Sequence, residues 1–277
     1  MATLDPKKLA EALYPAVLEA GRLEMQHFKA GVTIETKADK SPVTVADREA
    51  ETILIAALAE VAPGVTVVAE EAVAAGQVPA PADVFFLVDA LDGTRLFIHG
   101  KPEFSVNIGL IENGDPIFGI IYIPPTGDLF YTLGPGIAYR AHAPCALNER
   151  IAFADLQRVK LKTRESHLGD LKAYNSRSVG AAGVGLLETL KVKHAQPLGS
   201  SLKFCLIAAG EGDLYARLGQ TSEWDTAAGQ AILEAAGGTV TVNGGAPLRY
   251  GKADAKYCNP HFVAWGRAPL LSDFGQR

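Results

Sequence analysis

Leu9, Leu13, Val17, Ala20 and Leu23 recur at helical spacing, with Pro6 suited to a first turn and Gly31 to an end, so residues 5–29 are expected to be a helix. The segment VTIETK at 32–37 is strand-prone. Beyond it, Thr44 and Asp47 have the spacing of a capping box opening a helix that closes near Pro63-Gly64. VTVVAEE reads as a buried strand ending in Glu70 and Glu71, and a loop rich in Ala, Gly and Pro leads to a second strand, VFFLVDALDGT. From residue 104, FSVNIGLIENGDPIFGIIYIPPTGDLFYT breaks at Asn113-Gly114 and again at Pro124 to Gly127, the pattern of an antiparallel meander of three strands. This half of the chain is α+β.

The second half alternates differently. RVKLKTRESH gives a strand then a loop, SSLKFCLIAAGEG a helix, DLYARL a strand, WDTAAGQAILEAAGG a helix, TVTV a strand, and HFVAWG a late strand, which together read as α/β. We expect an N-terminal α+β lobe over 1–150 and a C-terminal α/β lobe over 151–277, with a site between them.

Composition narrows the function classes. A chain of 277 residues that is 48% hydrophobic builds a substantial core, and a net charge of -5 without Lys/Arg blocks argues against a nucleic acid polymer as partner. Cys145, Cys205 and Cys258 lack CxxC spacing, so neither a disulfide framework nor a zinc knuckle is indicated, and a reducing cytoplasm fits best. No apolar run has the length of a signal-peptide core or a membrane span, so no integral membrane segment is expected, and peripheral contact with the inner membrane stays compatible. Monomer and homodimer are both compatible with the sequence.

The chemistry lies in the acids. Asp92-Gly93 alone is a common turn dipeptide. However, an apolar run leads the chain out of the core at Asp89, and Glu70 ends a strand in the same manner. Carboxylates gathered in a partly dry site need a cation or a proton, and an all-oxygen set without His or Cys selects Mg²⁺, Mn²⁺ or Ca²⁺ over zinc. Asp225 in SEWDTAAGQA opens a helix, where an ordinary N-cap is the plain alternative. In PLGSSLKFC, the start of a helix offers amides, hydroxyls and Lys203 to an anion. His27, His99, His142, His194 and His261 show no ligand spacing.

These residues carry a resemblance. Asp89-Ala90-Leu91-Asp92-Gly93-Thr94 followed by Phe97 resembles the D-x-L-D-G-T-x-x-F signature of the lithium-sensitive inositol monophosphatase superfamily, and Trp224 to Gly229 resembles its W-D-x-A-A-G signature. With Ala69-Glu70-Glu71, the similarity runs from about residue 9 to 265. GSSLKFCLIAAGEGDLYARLG, EFSVNIGLI and GIIYIP bring it nearest to the bacterial 3'(2'),5'-bisphosphate nucleotidases of the CysQ type. Two departures are Ala90, where Pro is usual, and Glu165 in TRESH.

The resemblance implies a layered αβαβα sandwich of the sugar-phosphatase type. It implies that Glu70, Asp89 and the carbonyl of Leu91 hold one Mg²⁺ and that Asp89, Asp92 and Asp225 hold another, a third sharing Glu70 and Mn²⁺ being a substitute. Asp47 and Thr94, with Glu70 close by, would orient and deprotonate the attacking water, and the amides of Gly93 and Thr94 would bind the scissile phosphate. His167, Ser200, Lys203 and Arg217 would surround a bisphosphate nucleotide. The implied reaction removes the 3'-phosphate of adenosine 3',5'-bisphosphate, and of its sulfated form, in the recycling of a by-product of sulfate assimilation. Relatives with the same metal motif act on inositol-1-phosphate, fructose-1,6-bisphosphate or histidinol phosphate, and a non-catalytic nucleotide or metal binder is the reading from another class.

Overall fold

The computed structural model describes residues 4–31, 34–36, 42–80, 82–146, 151–167, 169–177, 181–242 and 245–267. The first helix, α1 (Pro6–Ala30), starts behind Asp5, whose carboxylate accepts from the amide of Lys7, and ends at Gly31. A hairpin of β1 (Ile34–Thr36) and β2 (Pro42–Thr44) leads into α2 (Val45–Val61). Residues 32, 33 and 37 of the strand-prone VTIETK lie outside the described residues. The chain continues through β3 (Thr66–Ala69), α3 (Glu70–Ala74), β4 (Val84–Asp92), α4 (Thr94–Ile98), β5 (Ser105–Glu112), β6 (Asp115–Ile123), β7 (Asp128–Gly134), β8 (Ile137–His142) and β9 (Arg158–Lys160). After these come β10 (Lys172–Asn175), α5 (Ala181–Thr189), β11 (His194–Pro197), α6 (Leu202–Ala208), β12 (Leu214–Arg217), α7 (Ala227–Ala235), β13 (Thr239–Val242) and β14 (Phe262–Trp265).

Strands β3 to β9 form one seven-stranded sheet in sequence order, antiparallel except for the β3–β4 pair. The second sheet has five strands in the order β11-β10-β12-β14-β13. Helices α1 and α2 pack on one face of the large sheet through Leu13, Val17, Leu54 and Leu58 against Phe86, Val88, Ile108 and Ile120. Its other face, through Phe85, Leu87 and Ile121, meets α6 and α7, which also pack on the second sheet at Tyr215, Val240 and Phe262. The outer face of that sheet is covered by α5 through Leu186 and Leu187, with Leu190 just beyond its end. The result is the expected αβαβα sandwich, and burial on both faces is why β4 is apolar without alternation.

Two readings change, and some elements were not read at all. Glu70 and Glu71 do not end β3 but begin α3, because the Glu51 carboxylate on α2 accepts from the amides of Glu71 and Ala72 at 2.8 and 2.9 Å and so caps a helix there. β9, assigned from sequence to the second lobe, pairs with β8, so the chain changes sheets between Lys160 and Lys172. Strands β8, β10 and β11 and helix α5 carry no pattern strong enough to be read beforehand.

Candidate active site

A regular strand would send Asp89 and Asp92 to opposite faces, since they are three positions apart. The β4–β5 register prevents this: Asp89 pairs with Asn107 and Asp92 with Ser105, so three steps on β4 oppose two on β5. The extra residue is a bulge that returns Asp92 to the face of Asp89. Asp89 is stapled in place as its Oδ1 accepts from the Leu91 amide at 3.0 Å. The Leu91 side chain is buried with Ala46, Phe97 and Phe104, while its carbonyl oxygen lies 3.2 Å from Thr94 Oγ1. Gly93 at φ 106° then turns the chain into α4, and a Cβ there would meet the Glu103 carbonyl at 2.7 Å.

Asp225 arrives from the other side, one residue before Thr226 at the start of α7. It caps the preceding turn instead, with Oδ2 accepting from the Ser222 amide at 2.8 Å. The small residues behind it let α7 lie directly on the large sheet: a Cβ at Gly119 would come 2.3 Å from the Ala228 carbonyl. Carboxylate oxygens of Glu70, Asp89 and Asp225 thereby come within 4.8 Å of one another. Burial, then the charges of Asp92 and Glu70, raises the Asp225 carboxyl well above its ordinary range. Burial also raises Asp92, against the opposing pull of the Lys203 ammonium, Ser201 and Asn107. Acids raised in this way are relieved by a cation, and an all-carboxylate donor set of Glu70, Asp89 and Asp225 fits a hard divalent ion.

Asp47 combines two tasks by dividing its oxygens. Oδ2 accepts from Thr44 N at 2.7 Å and Thr44 Oγ1 at 2.6 Å, closing the start of α2, while Oδ1 accepts from Thr94 Oγ1 at 2.8 Å. A buried carboxylate fixed on one side is thus offered to a single hydroxyl on the other.

Beside the acids is a cleft of about 390 Å³ lined by Asp92, Asp225, Ser200, Lys203, Arg217 and Arg95. Lys203 is buried, donates to the carbonyls of Leu198 and Ser200, and lies 4.9 Å from the centre of the Tyr215 ring. Burial lowers its pKa to about 8, although Asp92 pulls the other way. Arg217 donates from Nη2 to the Gln220 carbonyl at 2.6 Å.

His167 is not brought to this cleft. Its exposed loop is tied by Arg164 and Ser166 to Asp213, which lies at the start of β12, whereas Arg217 and the cleft lie at the end of that strand. Glu165 of the same loop faces Arg267 at 3.9 Å.

Sequence reasoning missed the residues that hold the site together. Ser201 Oγ lies 2.9 Å from Asp92 Oδ2, 2.9 Å from the Asp225 carbonyl and 2.9 Å from Asn107 Nδ2, joining the two sheets' contributions at one buried hydroxyl. Glu103 pairs with Arg177 and accepts from the Gly199 amide at 2.8 Å. Glu223, fully buried, accepts from the amides of Gly251 and Lys252 and pairs with Lys252 Nζ at 2.7 Å, fixing the segment before Asp225. The doublet Ser200-Ser201 was the one available signal, and it did not say which hydroxyl faces the acids.

A model of the inositol monophosphatase family matches residues 5–271. The chain is 37% identical over 230 residues to the 3'(2'),5'-bisphosphate nucleotidase CysQ of Escherichia coli strain K12, covering 83% of this chain and 87% of that protein. It is 29% identical to the protein of the same name from Haemophilus influenzae, over 96% of this chain and 95% of that one. Among solved structures, CysQ from Bacteroides thetaiotaomicron, a bacterial member of the inositol monophosphatase family, aligns with a TM-score of 0.75 at 34% identity, covering 94% of this chain and 97% of that one. The inositol monophosphatase from Anabaena shares the fold with a TM-score of 0.70 at 24% identity, over 94% and 90% of the two chains.

Proposed function

The chain belongs to the inositol monophosphatase family, and we propose that it is a metal-dependent phosphatase that removes the 3'-phosphate of adenosine 3',5'-bisphosphate to leave AMP, and acts likewise on the sulfated form. The observation that carries this reading is the meeting of Glu70, Asp89 and Asp225 beside a cleft lined by Lys203 and Arg217. Glu70, Asp89 and the Leu91 carbonyl would hold one ion and Asp89, Asp92 and Asp225 another, with Mg²⁺ favoured by the all-oxygen set, Mn²⁺ a substitute and a third ion sharing Glu70. Bound divalent ions supply charge neutralisation and Lewis-acid polarisation of the phosphoryl group.

The chain's own residues do the rest. Thr94 Oγ1, donating to Asp47 Oδ1, keeps its lone pairs for the attacking water. It accepts the water's proton as its own passes to Asp47, with Glu70 alongside. The amides of Gly93 and Thr94, ahead of the first helical bond from Leu96 N to Gly93 O, receive the scissile phosphate. Ser200, Lys203 and Arg217 receive the nucleotide and its remaining phosphate; His167 has no part in this arrangement. Among the described residues no helix is long and apolar enough to cross a membrane. The three free cysteines support a cytoplasmic setting.

Phosphate release from adenosine 3',5'-bisphosphate, inositol-1-phosphate and fructose-1,6-bisphosphate, measured side by side with Mg²⁺ and an Asp89→Asn control, tests the proposal. The expected result is a strong preference for the nucleotide and loss of release in the variant. Preference for a sugar or inositol phosphate would overturn the substrate and keep the phosphatase, whereas binding without release would point to a non-catalytic receptor.

A further inference from the structure

The cations around the cleft are not equivalent. Lys203 is held inside by two backbone carbonyls, Arg217 by Gln220, and Arg177 by Glu103. Glu103 is in turn committed to the Gly199 amide. Arg95 lines the same cleft, is exposed, and has no ion pair among the described residues. It follows directly on Gly93-Thr94 in the first turn of α4, so it is anchored beside the amides offered to the scissile phosphate. The acids lining this cleft are Asp92 and Asp225, both assigned above to the metal site. Among the described residues no acid pairs with this guanidinium, and its geometry matches a phosphate, which it can grip through two parallel hydrogen bonds.

We propose that Arg95 is a specificity-determining residue, whose guanidinium recognises the second anionic group of the substrate, the phosphate that stays on the product. The inference rests on the phosphatase reading and deepens it by naming the residue that selects a bisphosphate over the corresponding monophosphate. Lys203 meets the ligand as a buried cation and Arg95 as an exposed one lining the same cleft. Because Arg95 is exposed and has no ion pair among the described residues, its replacement is expected to leave the fold intact.

The test compares adenosine 3',5'-bisphosphate with adenosine 3'-monophosphate, which has the same scissile ester without the second phosphate, using the Mg²⁺-loaded wild type, Arg95→Gln and Arg95→Lys. Loss of a charge-assisted contact in Arg95→Gln is expected to lower the bisphosphate-to-monophosphate ratio of kcat/KM about tenfold or more, chiefly through KM, and Arg95→Lys to recover part of it. Equal losses on both substrates would overturn the proposal and assign Arg95 to the scissile phosphate. An unchanged ratio would overturn it as well. If the wild type prefers inositol-1-phosphate to either nucleotide, the nucleotide reading fails on its own. The Arg95 proposal is then decided by the same ratio measured with fructose-1,6-bisphosphate against fructose-1-phosphate.

Discussion

At the scale of the residue, the site is defined by carboxylates whose protons are hard to remove. Asp92 and Asp225 have folded pKa values raised, first by burial, above those of the unfolded chain. The sign follows from proton linkage: such groups contribute stability that is fully present below the unfolded carboxylate pKa and is lost as pH rises through the folded one. A divalent ion takes the protons' place, so the increase in Tm on adding Mg²⁺ should be larger at pH 8 than at pH 5. Asp225→Asn should melt higher than wild type at pH 8 without metal and gain little from it. Thermal melts at both pH values decide this, and an equal shift at both would show that these acids do not hold the ion. The acids were legible because Asp89 and Glu70 stand at the ends of apolar runs and Asp225 stands in a motif that opens a helix. Ser201, Asn107 and Glu103 were not, because a hydroxyl, an amide or an acid in an ordinary sequence context says nothing about the partner it meets across the fold. His167 does not line the cleft for the converse reason: its neighbours Arg164 and Ser166 spend their hydrogen bonds on Asp213.

At the scale of the element, two devices build the site: the bulge in β4 and the close seat of α7. The second makes a quantitative expectation. In Gly119→Ala the new methyl group meets the Ala228 carbonyl, a backbone atom that moves only if α7 lifts from the sheet, so a loss of about 1–3 kcal/mol is expected in urea denaturation. Asp225 leads that helix, and the Mg²⁺ concentration for half-maximal activity should rise with it. Destabilisation with an unchanged metal requirement would show that the height of α7 does not set the position of Asp225. Long periodic elements such as α1, and strands bounded by turn residues such as β5 to β7, were readable because local pattern and burial agree. The bulge was not, since nothing in DALD distinguishes an extra residue from a strand end until Asn107 and Ser105 are opposite it. Short pieces such as α3 exist through a tertiary cap from Glu51, which no local window contains.

At the scale of the molecule, the reading from sequence of two lobes meets a core that belongs to both. Val68, Phe85, Leu87 and Ile121 of the large sheet share one cluster with Phe204, Tyr215, Ile232 and Phe262 of the second half. Helices α6 and α7 are therefore not the surface of a lobe but a common middle layer, and removing either sheet would expose them. Two lobes joined in this way should unfold as one. Both tryptophans, Trp224 and Trp265, lie in the second half, so their fluorescence follows that half, while amide hydrogen exchange along β5 and β6 follows the first. The expected outcome is a single urea transition by fluorescence and a common opening free energy for the protected amides of β5, β6, β12 and β14. A second-half transition at lower urea, with β5 and β6 still protected, would mean that the shared layer stays with the large sheet and that the lobes part company. In that case Asp89 and Asp225 would be separated before the large sheet melts, and metal binding would raise the lower transition while leaving the upper one in place.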